Sequence, residues 1–259
     1  SKSPPSIIPD ASPRILVLVH GLCLSHEYWK GHNEGNLGTE LQRAQSYTPL
    51  YLNYNPGSHI SNNGSELAEQ LQALVEAWPV KVEELTLIGH SMGGLVIRSA
   101  CWYGSELELP WPKLLKNALY LGSPHHGAAL AKAGNLLTFV MKKFRYASPF
   151  ALTQHTSAGI KDLRHGNLLD DDWQGIDQDD FHPDYRKPVP LHEGTRHYFI
   201  AATVGKHVST IPSTMVGDLL VRLDSAKGHH ADDLRRLHIR PEDYRVFEKL
   251  NHLELLDNK

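Results

Sequence analysis

The sequence predicts an α/β fold: a mostly parallel β-sheet flanked by helices, with a cap or lid segment inserted over one end. Three observations predict it. Short apolar runs of strand length alternate with longer segments of helical periodicity. The first run, Ile15-Leu16-Val17-Leu18-Val19, is apolar at every position, as a strand covered on both faces requires. A glycine-bounded turn, Gly89-His90-Ser91-Met92-Gly93, stands between a strand-like run and a helix-like one.

The elements follow in order. Residues 1–13 carry four prolines and read as an extended entry arm. The strand at 15–19 ends at His20-Gly21. A weaker strand at 48–54 is stopped by Asn55-Pro56-Gly57. Residues 65–78 read as a helix, because Leu67, Leu71, Leu74, Val75 and Trp78 recur at spacings of three and four. Residues 85–88 form a short strand, and the helix after the turn runs through Trp102. Residues 117–121 form a strand closed by Gly122-Ser123-Pro124. Residues 128–143 read as helical. The stretch that follows is rich in acids (Asp170, Asp171, Asp172, Asp177, Asp179, Asp180) and in prolines. Residues 197–204 and 244–247 complete the strands, and a short helix around 253–256 ends the chain. The expected division is a core of residues 1–127 and 197–259 with an insertion of residues 128–196.

The length of 259 residues suits one domain, or one with an inserted cap. A net charge of −3 leaves no basic surplus for nucleic acid or an anionic membrane. No apolar run approaches the roughly 18 residues of a membrane span, so no transmembrane segment is expected. The first 13 residues lack the apolar centre of a signal peptide, which points to the cytoplasm; the absence of an initial Met leaves a processed leader open. Cys23 and Cys101 give no disulfide framework and read as buried thiols.

The turn at Ser91 carries the chemistry. It fits G-x-S-x-G in the strand–turn–helix setting that makes a serine a nucleophile in α/β-hydrolases. The serine occupies a strained turn that lifts its oxygen above the sheet, and the flanking positions crowd neighbouring backbone, so both are glycine. The helix that begins there adds partial positive charge beside a developing oxyanion. One oxyanion donor in such a site is the N–H after the nucleophile, here Met92. The other comes from a loop after an earlier strand, here Leu22 behind the permissive Gly21, with Cys23 its neighbouring alternative.

In this arrangement acid and histidine follow the serine along the chain. His252, in Asn251-His252-Leu253, is the late histidine; His238 and His229-His230 are its competitors. Asp218, after a glycine and before an apolar triplet, is the preferred acid, with Asp224 as the alternative. His20, Cys23, His125 and His126 are possible pocket residues. No H-E-x-x-H or paired C-x-x-C appears, so no metal and no cofactor is expected. Leu130, Leu136, Leu137, Phe139, Val140 and Met141 form an apolar stripe that suits a lid face or ordinary core packing.

Several segments resemble a known group. Gly217-Asp218-Leu219-Leu220-Val221 with Ser225-Ala226 is similar to the acid-bearing segment of bacterial lipases and their esterase relatives, and Asn251-His252-Leu253 to their histidine segment. Gly122-Ser123-Pro124-His125-His126-Gly127 resembles their strand-end motif after the elbow. Tyr54-Asn55-Pro56-Gly57 with Ile60-Ser61 and Asn63-Gly64 resembles a block of the GPI inositol-deacylase-like hydrolases. The resemblance implies an esterase or lipase with Ser91, Asp218 and His252 as triad. Two positions depart from the pattern. Leu219 stands where relatives often carry glycine, and Glu254 where calcium-dependent lipases carry aspartate. The expected function is cleavage of a small ester or lipid. The alternatives are a thioesterase, amidase or acyltransferase with the same triad, or an inactive binding module. The sequence leaves the oligomeric state open.

Overall fold

In a computed structural model that describes residues 10–22, 24–30, 36–127, 157–179, 183–203, 223–250, 252 and 254–257, the first apolar run forms β1 (Arg14–Val19), an interior strand of the sheet. Among the described residues five further strands join it in one six-stranded sheet: β2 (Thr48–Leu52), β3 (Glu84–His90), β4 (Leu115–Leu121), β5 (Arg196–Thr203) and β6 (Tyr244–Glu248). The order is β2-β1-β3-β4-β5-β6, and every pairing is parallel. This is the α/β fold expected from the sequence.

The uninterrupted apolar character of β1 has a direct cause. Ile15, Val17 and Val19 point into one core cluster and Leu16 and Leu18 into a second, so both faces are covered. The larger cluster lies under α2 (Ile60–Ala77) and α3 (Met92–Glu106). The smaller one holds Trp29, Tyr47, Ile88 and Leu121, with α1 (Leu37–Gln45) against it through Leu37 and Leu41. Helix α3 is buried from Met92 to Cys101, and α2 meets it at Gly64, where an added Cβ would lie 2.1 Å from Ser99 Oγ. Burial pushes the Cys101 thiol up to about 12, so it packs as an inert apolar group.

Helix α2 begins at Ile60, seven residues before Leu67, the first residue that apolar periodicity marks. The early start is capped from far along the chain. Asp162, fully buried on α4 (Ala158–His165), accepts the Ile60 N–H at 2.8 Å, pairs with His59 Nδ1 at 2.9 Å and accepts from Asn167 Nδ2 at 3.0 Å. His59 stacks on Trp173 at 3.5 Å, and Trp173 Nε1 donates to Ser61 Oγ. Leu163, Leu168, Leu169 and Val189 join the larger core cluster, so the described part of 128–196 is packed on the sheet's helices. The apolar stripe from Leu130 to Met141 lies outside the described residues. Short helices α5 (Leu223–Ala226) and α6 (Glu254–Asp257) flank the last strand. Among the described residues no helix is long and apolar enough to cross a membrane.

Asp162→Ala leaves a helix N-terminus and two side-chain donors without their buried acceptor. It is expected to lower the unfolding free energy by about 2–4 kcal/mol, read as a reduced urea midpoint at unchanged slope. A change within experimental error would show that solvent serves these donors equally well.

Candidate active site

The strand order reverses between β1 and β3, because β1 connects outward to β2 and the chain then returns to lay β3 on its other side. Open α/β sheets bind ligands at the carboxyl ends of the two strands that flank such a reversal. His20-Gly21-Leu22 leaves the end of β1, and Ser91 follows the end of β3, so the two leading sequence candidates meet there.

Ser91 has φ 53° and ψ −121°, in the left-handed half of backbone space, where a residue with a Cβ is strained by about 1–3 kcal/mol. The surroundings hold it. Its N–H donates to the Leu121 carbonyl of β4 at 2.8 Å, and its own carbonyl accepts from Gly94 N–H at 3.1 Å. The flanking glycines are required by contact: a Cβ on Gly89 would lie 2.6 Å from Gly94 N, and one on Gly93 only 2.3 Å from the Val19 carbonyl. Gly21 brings the β1 loop against the same turn, since a Cβ there would lie 3.1 Å from Ser91 Cβ.

Leu22 is partly buried against the larger core cluster, in a turn where Leu24 N–H donates to the Gly21 carbonyl. Met92 is fully buried, and as the first residue of α3 it has no intrahelical acceptor for its N–H. Gly159 of α4 closes on this side: a Cβ would lie 2.1 Å from the Pro56 carbonyl and 2.8 Å from Met92 Cε.

His252 is buried, 3% exposed, beside the same turn. Its carbonyl is bonded to His90 Nε2 at 3.0 Å, with the two rings 4.7 Å apart. Its ring lies over Gly122, where a Cβ would sit 3.0 Å from both Nδ1 and Cε1. Gly122 adopts φ 62° directly after Leu121, whose carbonyl accepts from Ser91. The end of β4 thus connects the serine turn to the histidine. The competitors stand elsewhere: His229 and His238 are exposed, and His230 pairs with Asp184 at 3.2 Å. Asp218 and Cys23 lie outside the described residues. Asp224, on α5, is partly buried and its charge acts on the Tyr244 hydroxyl, which burial raises above its ordinary value.

His20 is committed to the frame of the site. Its Nδ1 lies 2.9 Å from the Gly21 carbonyl, its ring stacks on Tyr54 at 4.3 Å, and its own carbonyl accepts the Tyr54 hydroxyl at 2.7 Å. Burial lowers its pKa, which favours the neutral ring. Beyond Tyr54 opens a cleft of about 610 Å³ walled by Asn53, Asn55, Asn62, Asn63, Glu66 and Gln70, a polar rather than greasy surface. His125 packs edge-on against Tyr120 at 5.0 Å, and His126 N–H donates to Ser225 Oγ. Both line a small cavity with Arg98. Among the described residues no three His, Cys, Asp or Glu side chains converge as metal ligands do. The sequence reading missed His90, Gly122 and Asp162. His90 and Gly122 lie within motifs it singled out, but only contact with His252 shows their use.

A family model described as PGAP1-like alpha/beta domain matches residues 10–186. No curated protein sequence matches the chain. Among solved structures, the mature form of the Bacillus licheniformis lipase BlEst2 is 20% identical, with a TM-score of 0.58 over 98% of this chain and 90% of that one. The type II thioesterase YbtT of the yersiniabactin pathway is 14% identical, with a TM-score of 0.51 over 95% of this chain and 88% of its own. A hormone-sensitive lipase from a metagenome library is also 14% identical, with a TM-score of 0.50 over 94% and 69%. At these identities the likeness is one of fold, that of the α/β-hydrolases.

Burial lowers His197 to about 4 and His126 to about 3. Both are neutral when folded and gain a proton on unfolding once the pH falls below about 6.5, so the unfolded chain binds more protons there and stability drops. The urea midpoint is expected to decline from pH 6.5 to pH 4.5, and His197→Gln to flatten that decline. A midpoint that rises over this range would contradict the assignment of neutral rings.

Proposed function

The chain belongs to the PGAP1-like alpha/beta domain family, and from that premise we propose that it is a serine hydrolase of carboxylic esters, an esterase or lipase, with Ser91 as nucleophile. The observation that carries this reading is the left-handed backbone at Ser91, held between three strand ends with a buried histidine beside it. A strained turn of this kind has no structural use that an unstrained loop would not serve better.

The reaction is acyl transfer to water. His252 removes the Ser91 proton as Oγ attacks the ester carbonyl carbon. The carbonyl π electrons move to oxygen, and the Leu22 and Met92 N–H groups receive that oxyanion. The intermediate collapses, the C–O bond to the alcohol breaks, and His252 protonates the departing oxygen. Water, deprotonated by His252, then releases the acid and restores Ser91. Asp218 is the proposed partner of His252, orienting its ring and stabilising the imidazolium. Asp224 is the alternative.

We assign residues 1–127 and 197–259 to the hydrolase core and residues 128–196 to a cap over it. The close approach of Gly159 to Pro56 and Met92 supports the cap, since it sets the insertion against the proposed oxyanion donors. The proposed substrate is a small ester or lipid, and the proposed compartment is the cytoplasm.

Ser91→Ala is expected to lower kcat on p-nitrophenyl esters by about 10⁴-fold or more, with the fold retained by circular dichroism. Asp218→Asn lowers kcat far more than Asp224→Asn under this assignment; the reverse order makes Asp224 the acid. Equal turnover by Ser91→Ala and wild type would reject the nucleophile.

A further inference from the structure

Arg98 lies on α3 seven residues after Ser91, about 10 Å along the helix at its usual rise. It is 4% exposed. Its Nη2 donates to the Val189 carbonyl, while Nε and Nη1 have no acceptor. Among the described residues no carboxylate pairs with the guanidinium. A charge buried in this way is costly unless an opposite charge accompanies it.

Arg98 borders a cavity of about 20 Å³ together with His125, His126, Arg186, Lys187 and Arg235. Both ring nitrogens of the buried His125 lack a hydrogen-bond partner, as does His126 Nε2. The cations around the cavity differ in how far they are engaged. Arg186 pairs with Asp184 at 2.6 Å and donates to the Gly166 carbonyl; Arg235 pairs with Asp232 and donates to the Arg186 carbonyl. Lys187 Nζ rests 4.7 Å from the Trp102 ring centre. The carboxylate of Asp172 also lines the cavity, but the backbone occupies it: Oδ2 accepts from Leu168 and Leu169 N–H at 2.8 and 3.0 Å, and Oδ1 from Lys187 N–H at 2.9 Å.

We propose that this cavity is a binding site for a small phosphate-class oxyanion, held by the buried Arg98 guanidinium with His125 and His126 beside it. Nε–H and Nη1–H leave the guanidinium on different edges, so the anion takes one of these charge-assisted donors rather than a parallel pair. Water would satisfy the donors without offsetting the charge. The volume exceeds the roughly 10–15 Å³ that one water needs and excludes an acyl chain, so this is not a second substrate pocket. The bound anion joins α3, which begins directly after Ser91, to the loop after β4, whose Gly122 lies against His252. Its role is to brace the site from behind, and its occupancy does not depend on the ester reading.

The test is thermal unfolding of the full chain titrated with sodium phosphate, sodium glycerol phosphate or sodium chloride, with ionic strength held constant by sodium gluconate. Wild type is expected to show a saturable rise in Tm with phosphate, and Arg98→Met none. Because loss of Arg98 also alters core packing, Lys187→Gln on the exposed rim is the second variant; it is expected to fold normally and to shift the phosphate midpoint upward several-fold. Saturation by phosphate alone identifies a free anion, and tighter binding of glycerol phosphate identifies a phosphomonoester head group; either supports the proposal. It is overturned by the absence of a saturable rise, by an equal effect of chloride, or by a rise unchanged in both variants.

Discussion

The backbone at Ser91 is held in its left-handed state by groups from three strands. β3 delivers the chain, β4 accepts the Ser91 N–H through Leu121, and the Val19 carbonyl at the end of β1 closes the space beside Gly93. None of these contacts survives a change in strand order or a shift of register. The parallel pairing of β1, β3 and β4 is therefore the constraint from which the site follows. That pairing depends in turn on strands apolar on both faces, which force helices onto each side of the sheet.

The rest of the site is attached to the same three strand ends. The β1 loop is braced by the His20–Tyr54 stack and reaches Ser91 through Gly21. The His252 segment is tied through its carbonyl to His90, the residue just before the serine, and rests on Gly122, just after the carbonyl that holds the serine. The described part of the insertion is clamped by Asp162 to the first turn of α2, which packs on α3. Residues 157–179 are thus joined, through α2, to the helix that starts at Met92.

Much of this was legible in the sequence, for physical reasons. A continuous apolar run identified β1, because burial on both faces leaves no polar positions, and β3 reads the same way but for the buried Thr86. Gly89 and Gly93 marked the elbow, because only glycine fits where backbone meets backbone. The start of α2 was not legible: its cap, Asp162, lies about a hundred residues away, and periodicity detects only the apolar face that begins later. Helix α1 escaped notice for a related reason. It offers only Leu37 and Leu41 to the smaller cluster, too few for a stripe. The histidines show the reverse case. His20 and His125 also set their rings against Tyr54 and Tyr120, contacts that position along the chain does not reveal.

The central claim is that Ser91 is a nucleophile activated by His252. Its most direct test is intact and peptide mass spectrometry after exposure to an alkyl fluorophosphonate, on wild type and His252→Ala. The account predicts one adduct per chain on the peptide that holds Ser91, formed at least about 10³-fold more slowly in the variant. An adduct on another residue, or labelling of Ser91 at the same rate without His252, would contradict it.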